Sequence, residues 1–179
     1  MKKILLLIFI PFQVFSQNAS SNSNPGSPMK TISNSEGVIL KEEHSLLGSV
    51  GNKFKINVIT LSDLDRHDST SGLRFIMSDK KSWPTVGYSS FADINEINSL
   101  LKFLDFIKAL PAPVIEGTGY SYITSGNFRI SAFIEPGDAR WRYGVFIDKN
   151  YSESFLELDA KELVAFSQLM VSANSRSGK

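Results

Sequence analysis

The stretches GNKFKINVIT (Gly51–Thr60) and GNFRISAFIE (Gly126–Glu135) are two versions of one phrase, and after each of them the apolar period changes in the same order. In the first, Phe54, Ile56 and Val58 alternate with Lys55 and Asn57; in the second, Phe128, Ile130, Ala132 and Ile134 alternate with Arg129 and Ser131. Such alternation places one face of a strand against a core. A polar connection and a further strand come next in each copy, Gly72–Met77 and Arg142–Asp148, then a short strand around Val86–Phe91 and around Ser154–Leu158. The period then lengthens. Ile97, Leu100, Leu101, Leu104 and Ile107 are spaced for one face of a helix, as are Leu163, Phe166, Leu169 and Met170.

The helix starts repeat the duplication. Asp93-x-x-Glu96 and Asp159-x-x-Glu162 stand at equivalent places, each with an aspartate able to cap free N–H groups and a glutamate at the third helical position. A preceding strand completes each unit, Val38–Leu47 in the first and Gly119–Thr124 in the second. Pro111 and Pro113 end the first helix and mark the break. The pattern predicts an α+β fold of two tandem ββββα repeats, 36–112 and 113–175, each an antiparallel sheet packed against a helix within a single domain 36–175. Apolar residues fall on both sheet faces: Ile59 and Leu61 are out of phase with Phe54 and Ile56, and Phe133 is out of phase with Ile130 and Ala132. Either the repeats sandwich that second face or another molecule covers it, a homodimer partner included.

The start of the chain has a different character. Lys2 and Lys3 precede the apolar run Ile4–Ile10, and the segment closes on Ser16, which is the layout of a secretory signal peptide over residues 1–16. The run is too short to span a membrane. Residues 17–35, rich in Ser, Asn, Pro and Gly, read as a flexible leader. Localisation outside the cytoplasm, periplasmic or extracellular, is the resulting expectation. Cysteine is absent, so no disulfide supports the fold and no lipid can be carried on an N-terminal cysteine. The formal charge of +1 falls to −1 once Lys2 and Lys3 are removed, which gives no general pull toward phosphate or acidic lipid.

Chemistry-bearing motifs are sparse. With no cysteine, only His44 and His67, and no nucleophile elbow, Walker loop or HExxH motif, the residues point to no enzyme, cofactor or metal site. The polar stretch Ser62–Gly72 gathers Asp63, Asp65, His67 and Asp68, but His67 and Asp68 break the EF-hand pattern, and a solvated connection is the reading adopted. The segment ARWRYGVF (Ala139–Phe146) allows a stacking and hydrogen-bonding platform with Arg129, Tyr120 and Tyr122, or a core-facing row of Trp141, Tyr143, Val145 and Ile147; the row is preferred.

Two successive ββββα units resemble the PUR-repeat proteins and the Whirly-type single-stranded DNA binders, and Gly72-Leu73-Arg74-Phe75-Ile76 is similar to the G-R-F-x-x-I strand of the PUR pattern. The likeness is topological and covers nearly all of 36–175. It implies binding of single-stranded nucleic acid by basic and aromatic residues on the sheet, with Lys55, Arg74, Arg129 and Phe133 at comparable positions. The expectation is a secreted, non-enzymatic binding or interaction module. Its candidate ligand-binding residues are Lys55, Arg129, Phe133, Arg142, Tyr120 and Tyr122, and its partner is a protein or glycan. Single-stranded nucleic acid is the second reading.

Overall fold

A computed structural model describes residues 27–33, 36–79, 86–112 and 117–177. Residues 1–16, read as a signal peptide, lie outside them. Two four-stranded antiparallel sheets hold the strands in sequence order. The first is β1 (Leu40–Val50), β2 (Phe54–Asp63), β3 (Asp68–Asp79) and β4 (Val86–Asp93). The second is β5 (Gly119–Ile123), β6 (Arg129–Phe133), β7 (Arg142–Phe146) and β8 (Phe155–Leu158). A short helix, α1 (Pro28–Ser33), precedes the first sheet. After β4 a 3-10 turn, Ile94–Glu96, leads into helix α2 (Ile97–Lys108); after β8 comes α3 (Ala160–Ser177). The two ββββα units are therefore present.

One core serves both. Phe75 from the first sheet stacks on Phe128, just before β6, their ring centroids 3.9 Å apart. Phe166 of α3 meets Phe54, Phe75 and Phe128 at 5.9, 6.3 and 5.8 Å. All four rings are buried, so removing any one opens a gap in a core that both repeats build.

The helices cross over. Phe103 and Phe106 of α2 pack on Tyr122 and Tyr120 of the second sheet, at 5.9 and 5.0 Å between ring centroids, and the Tyr143 hydroxyl donates to the Ile107 carbonyl. Helix α3 lies along β1, where Leu169 occupies the space a side chain at Gly48 would need. Each sheet is thus covered by the helix of the other unit. The sequence pattern suggests the simpler arrangement, each sheet under its own helix, because periodicity says which face of a helix is buried but not against what.

The segment read as a flexible leader is ordered in part, since α1 falls within it. Met29 is fully buried against Ile59, Leu61 and Phe91 on the outer face of the first sheet. The Met29 N–H donates to Asp93 Oδ1 at 3.1 Å. Gly72 provides the room, since a side chain there would meet the Ala92 carbonyl and the Met29 side chain. Composition points to disorder because one apolar anchor among serines and asparagines carries no periodic signal. That anchor explains part of the out-of-phase row: Ile59 and Leu61 are covered from within the chain.

The connection expected at Ser62–Gly72 is also shorter. Strands β2 and β3 run to Asp63 and from Asp68, leaving Leu64–His67 as the turn. Asp63 Oδ1 accepts from the N–H groups of Asp65 and Arg66, both at 3.0 Å, and Asp65 Oδ2 accepts from the Ile39 N–H. These oxygens hold the turn. Among the described residues no group of three or more acidic or histidine side chains is placed to hold a metal ion.

Candidate functional site

The second sheet has one face under α2 and one that no helix of the described residues covers. Strand register decides which side chains share the open face. Ile123 pairs with Arg129, Arg129 with Phe146, and Phe146 with Phe155, which makes one row across the sheet. The next row is Ser121, Ser131, Gly144 and Glu157, and the third is Gly119, Phe133 and Arg142. Small residues in the middle row leave a trough between two bulkier ridges. A depression of about 310 Å³ lies over Ser121, Ser131 and Arg129, with Phe133 and Phe146 at its sides. The Phe155 ring lies over Gly144, where any β-carbon would strike it, and it meets Phe146 and Phe133 at 4.9 and 6.1 Å.

Arg129 is the cation of this trough. Its Nε donates to Ser121 Oγ at 3.2 Å and Ser131 Oγ at 3.1 Å, its Nη2 donates to Ser121 Oγ at 3.0 Å, and its guanidinium lies 5.2 Å from the Phe146 ring centroid. No carboxylate among the described residues pairs with it. Hydroxyls and a ring face fix its direction without neutralising it, which leaves its charge available to an anionic group.

Arg142 is engaged differently. Its Nε and Nη2 donate to the two carboxylate oxygens of Glu157 at 2.7 and 2.6 Å, its Nη1 donates to Glu135, and Asp138 stands 3.7 Å away. The bidentate bond to Arg142 holds the Glu157 carboxyl below the usual carboxylate range, and the same bond raises the Arg142 pKa further. Three carboxylates occupy the Arg142 guanidinium, and Lys53 and Arg140 also act on Glu157, so Arg142 is already engaged and offers little to a phosphate.

The sequence-selected residues therefore divide into three places. Arg129, Phe133 and Arg142 share the open face. Tyr120 and Tyr122 pair with Ala132 and Ile130 and lie on the opposite face, beside α2, where Tyr122 packs against the core and Tyr120 remains exposed next to Phe106; neither joins a platform with Arg129. There the Tyr122 pKa is raised by burial first and by the nearby Glu96 charge second. Trp141 lies with its ring 5.6 Å from that of Tyr120 and tilted 45° to it, and donates Nε1–H to the Pro111 carbonyl, while Tyr143, Val145 and Ile147 pack in the core. Lys55 is exposed on the outer face of the first sheet, between Ser49 and Ile76. Arg74 shares that sheet face, its guanidinium 5.5 Å from the Phe91 ring centroid.

Ser121, Ser131, Phe146 and Phe155 are site residues that the sequence pattern does not single out. Ser131 was accessible, because it alternates in phase with Arg129 and Phe133. The others required the pairing register, which no periodicity supplies. Comparison of the chain with protein-family models, with curated proteins and with solved structures finds no match.

Proposed function

We propose that this protein is a non-enzymatic binding module that works outside the cytoplasm and holds a protein partner on the open face of its second sheet. The observation that carries this reading is Arg129: a directed guanidinium with no acidic partner among the described residues, seated in a serine-lined trough between Phe133, Phe146 and Phe155. An aromatic ridge next to a fixed cation suits a partner segment that presents an apolar side chain beside a carboxylate. The acids around Arg142 weigh against a polyanion and favour a ligand with a single, localised negative group. The export reading rests on the Lys2–Ser16 segment.

Selection from a displayed random peptide library tests the proposal. Enriched sequences are expected to pair an acidic residue with an apolar neighbour, and to lose binding to the Arg129→Gln and Phe155→Ala variants. Enriched peptides that bind Arg129→Gln unchanged would overturn it. The second reading, single-stranded nucleic acid, draws on the tandem ββββα resemblance and on Arg129 beside three phenylalanines as a stacking surface. Tight, salt-sensitive binding of an oligothymidylate, lost in Arg129→Ala and Arg142→Ala, would establish it in place of the first.

A further inference from the structure

A second cavity, of about 560 Å³, opens at the other end of the molecule, between the projecting β2–β3 ladder and the last turns of α3. Its origin lies in a change of composition along one sheet face. The inward pairs Ile56–Phe75 and Val58–Leu73 are apolar, but the next two, Thr60–Ser71 and Ser62–Ser69, are hydroxyl pairs. The sheet therefore stops supplying core just where α3 still runs past it. Val58 and Ile94, both half-buried, form an apolar floor over the buried Leu73 and Ala173, Thr60 and Ser71 form a hydroxyl wall with 2.9 Å between their oxygens, and Arg176 completes the lining. Among the described residues no acidic side chain lines the cavity, and Arg176 makes no ion pair or hydrogen bond.

We propose that this cavity binds a small amphipathic organic anion, whose apolar body rests on Val58 and Ile94 and whose carboxylate or sulfonate meets Arg176. Two features converge on that class. The volume falls within the roughly 300–1,000 Å³ typical of small-molecule sites. An apolar floor with a hydroxyl wall and one cation selects a ligand with an apolar body and one charged end. A last-turn arginine does complement the helix dipole, but that role requires neither a cavity nor a hydroxyl wall. The site is separate from the open face of the second sheet, so either can fail without the other.

The test uses 1-anilinonaphthalene-8-sulfonate as a fluorescent probe on the full mature chain, displaced by decanoate or by decanol. Decanoate is expected to displace the probe, with decanol at least about tenfold weaker, as loss of a charge-assisted contact dictates. Arg176→Gln should weaken decanoate by a similar factor, and Ile94→Trp, which fills the floor, should abolish displaceable binding. Decanoate displacement that is lost in Arg129→Gln and kept in Arg176→Gln would place the anion on the open face of the second sheet and overturn the proposal. Arg176 is exposed, so its variant keeps the fold; if Ile94→Trp does not fold, Val58→Phe, also half-buried in the lining, fills the same space. Equal displacement by decanol and decanoate, or unchanged decanoate binding in Arg176→Gln, would overturn the proposal.

Discussion

Lys53 Nζ lies 2.5 Å from Glu162 Oε2, so the β1–β2 turn of the first unit reaches the helix cap of the second. The reverse contact is made by Ser125, which donates to Glu96 from its backbone N–H at 2.8 Å and from its hydroxyl at 2.7 Å. Both glutamates also accept from the N–H of their own capping aspartate, Asp93 or Asp159, each at 2.9 Å. Each capping box therefore closes its own helix and fastens the hairpin turn of the opposite unit.

The two caps should differ in cost. Asp159 is an exposed cap, bonded to the Glu162 N–H at 2.8 Å, and Asp159→Ala is expected to lose about 1 kcal/mol. Asp93 is buried and also accepts from the Met29 N–H and from the Ser125 hydroxyl at 2.9 Å, so Asp93→Ala should lose about 2–4 kcal/mol. Denaturant midpoints at matched slopes measure both. Equal losses would show that the extra bonds contribute nothing.

Because Phe166 touches rings from both repeats, Phe166→Ala is expected to cost about 3–5 kcal/mol. The loss should be felt by both sheets together. Amide exchange resolved by segment should show protection falling equally in β2–β3 and in β6–β7. A drop confined to one sheet would mean that the repeats unfold separately.

Met29→Ala should cost about 2–3 kcal/mol and release α1 from the first sheet. Its signature is faster amide exchange over α1 and around Ile59 and Leu61, with β6 and β7 unchanged. Uniform loss of protection would instead place Met29 in the main core.

The Arg142–Glu157 pair sets an acid-side dependence. Its carboxylate has a folded pKa depressed mainly by the bond to Arg142, so its contribution is present above the ordinary carboxylate value and is lost as pH falls through the depressed one. In Arg142→Met that contribution disappears, and the stability gap to the parent should close as pH falls through the acidic range. The effect is small, because Glu157 is close to half exposed. A gap independent of pH would assign the loss to packing of the arginine stem.

The proposed export predicts a processing site. The mature chain isolated from outside the cytoplasm should begin at Gln17 or within a few residues of it, and intact mass decides this. Retention of Met1–Ser16 would refute it.

The parts of the fold that were legible in the sequence are those set by near neighbours. Alternation at Phe54–Val58 and Phe128–Ile134, the lengthened period from Ile97, and the Asp-x-x-Glu pairs are all local signals, and the strands and helices stand where these put them. What stayed hidden depends on partners far away in sequence. Phe103 and Phe106 face Tyr122 and Tyr120 rather than their own sheet, and no spacing within α2 records that choice. Met29 lacked apolar neighbours to give it a period. At the candidate site, Arg129 and Phe133 were legible as one strand face, whereas the assignment of Tyr120 and Tyr122 to the other side depends on a register fixed only when β5 pairs with β6.

The crossing of the helices bears on how such a chain could arise. A polypeptide carrying one ββββα unit would have its sheet bare and its helix without a surface. Two such polypeptides would each complete the other through the contacts that here run within one chain, with the rings equivalent to Phe75 and Phe128 meeting across a two-fold axis. The subunit boundary of that ancestral pair would be its hydrophobic core, so neither half could fold alone. Fusion would convert an obligate association, dependent on concentration, into a folding reaction that is not.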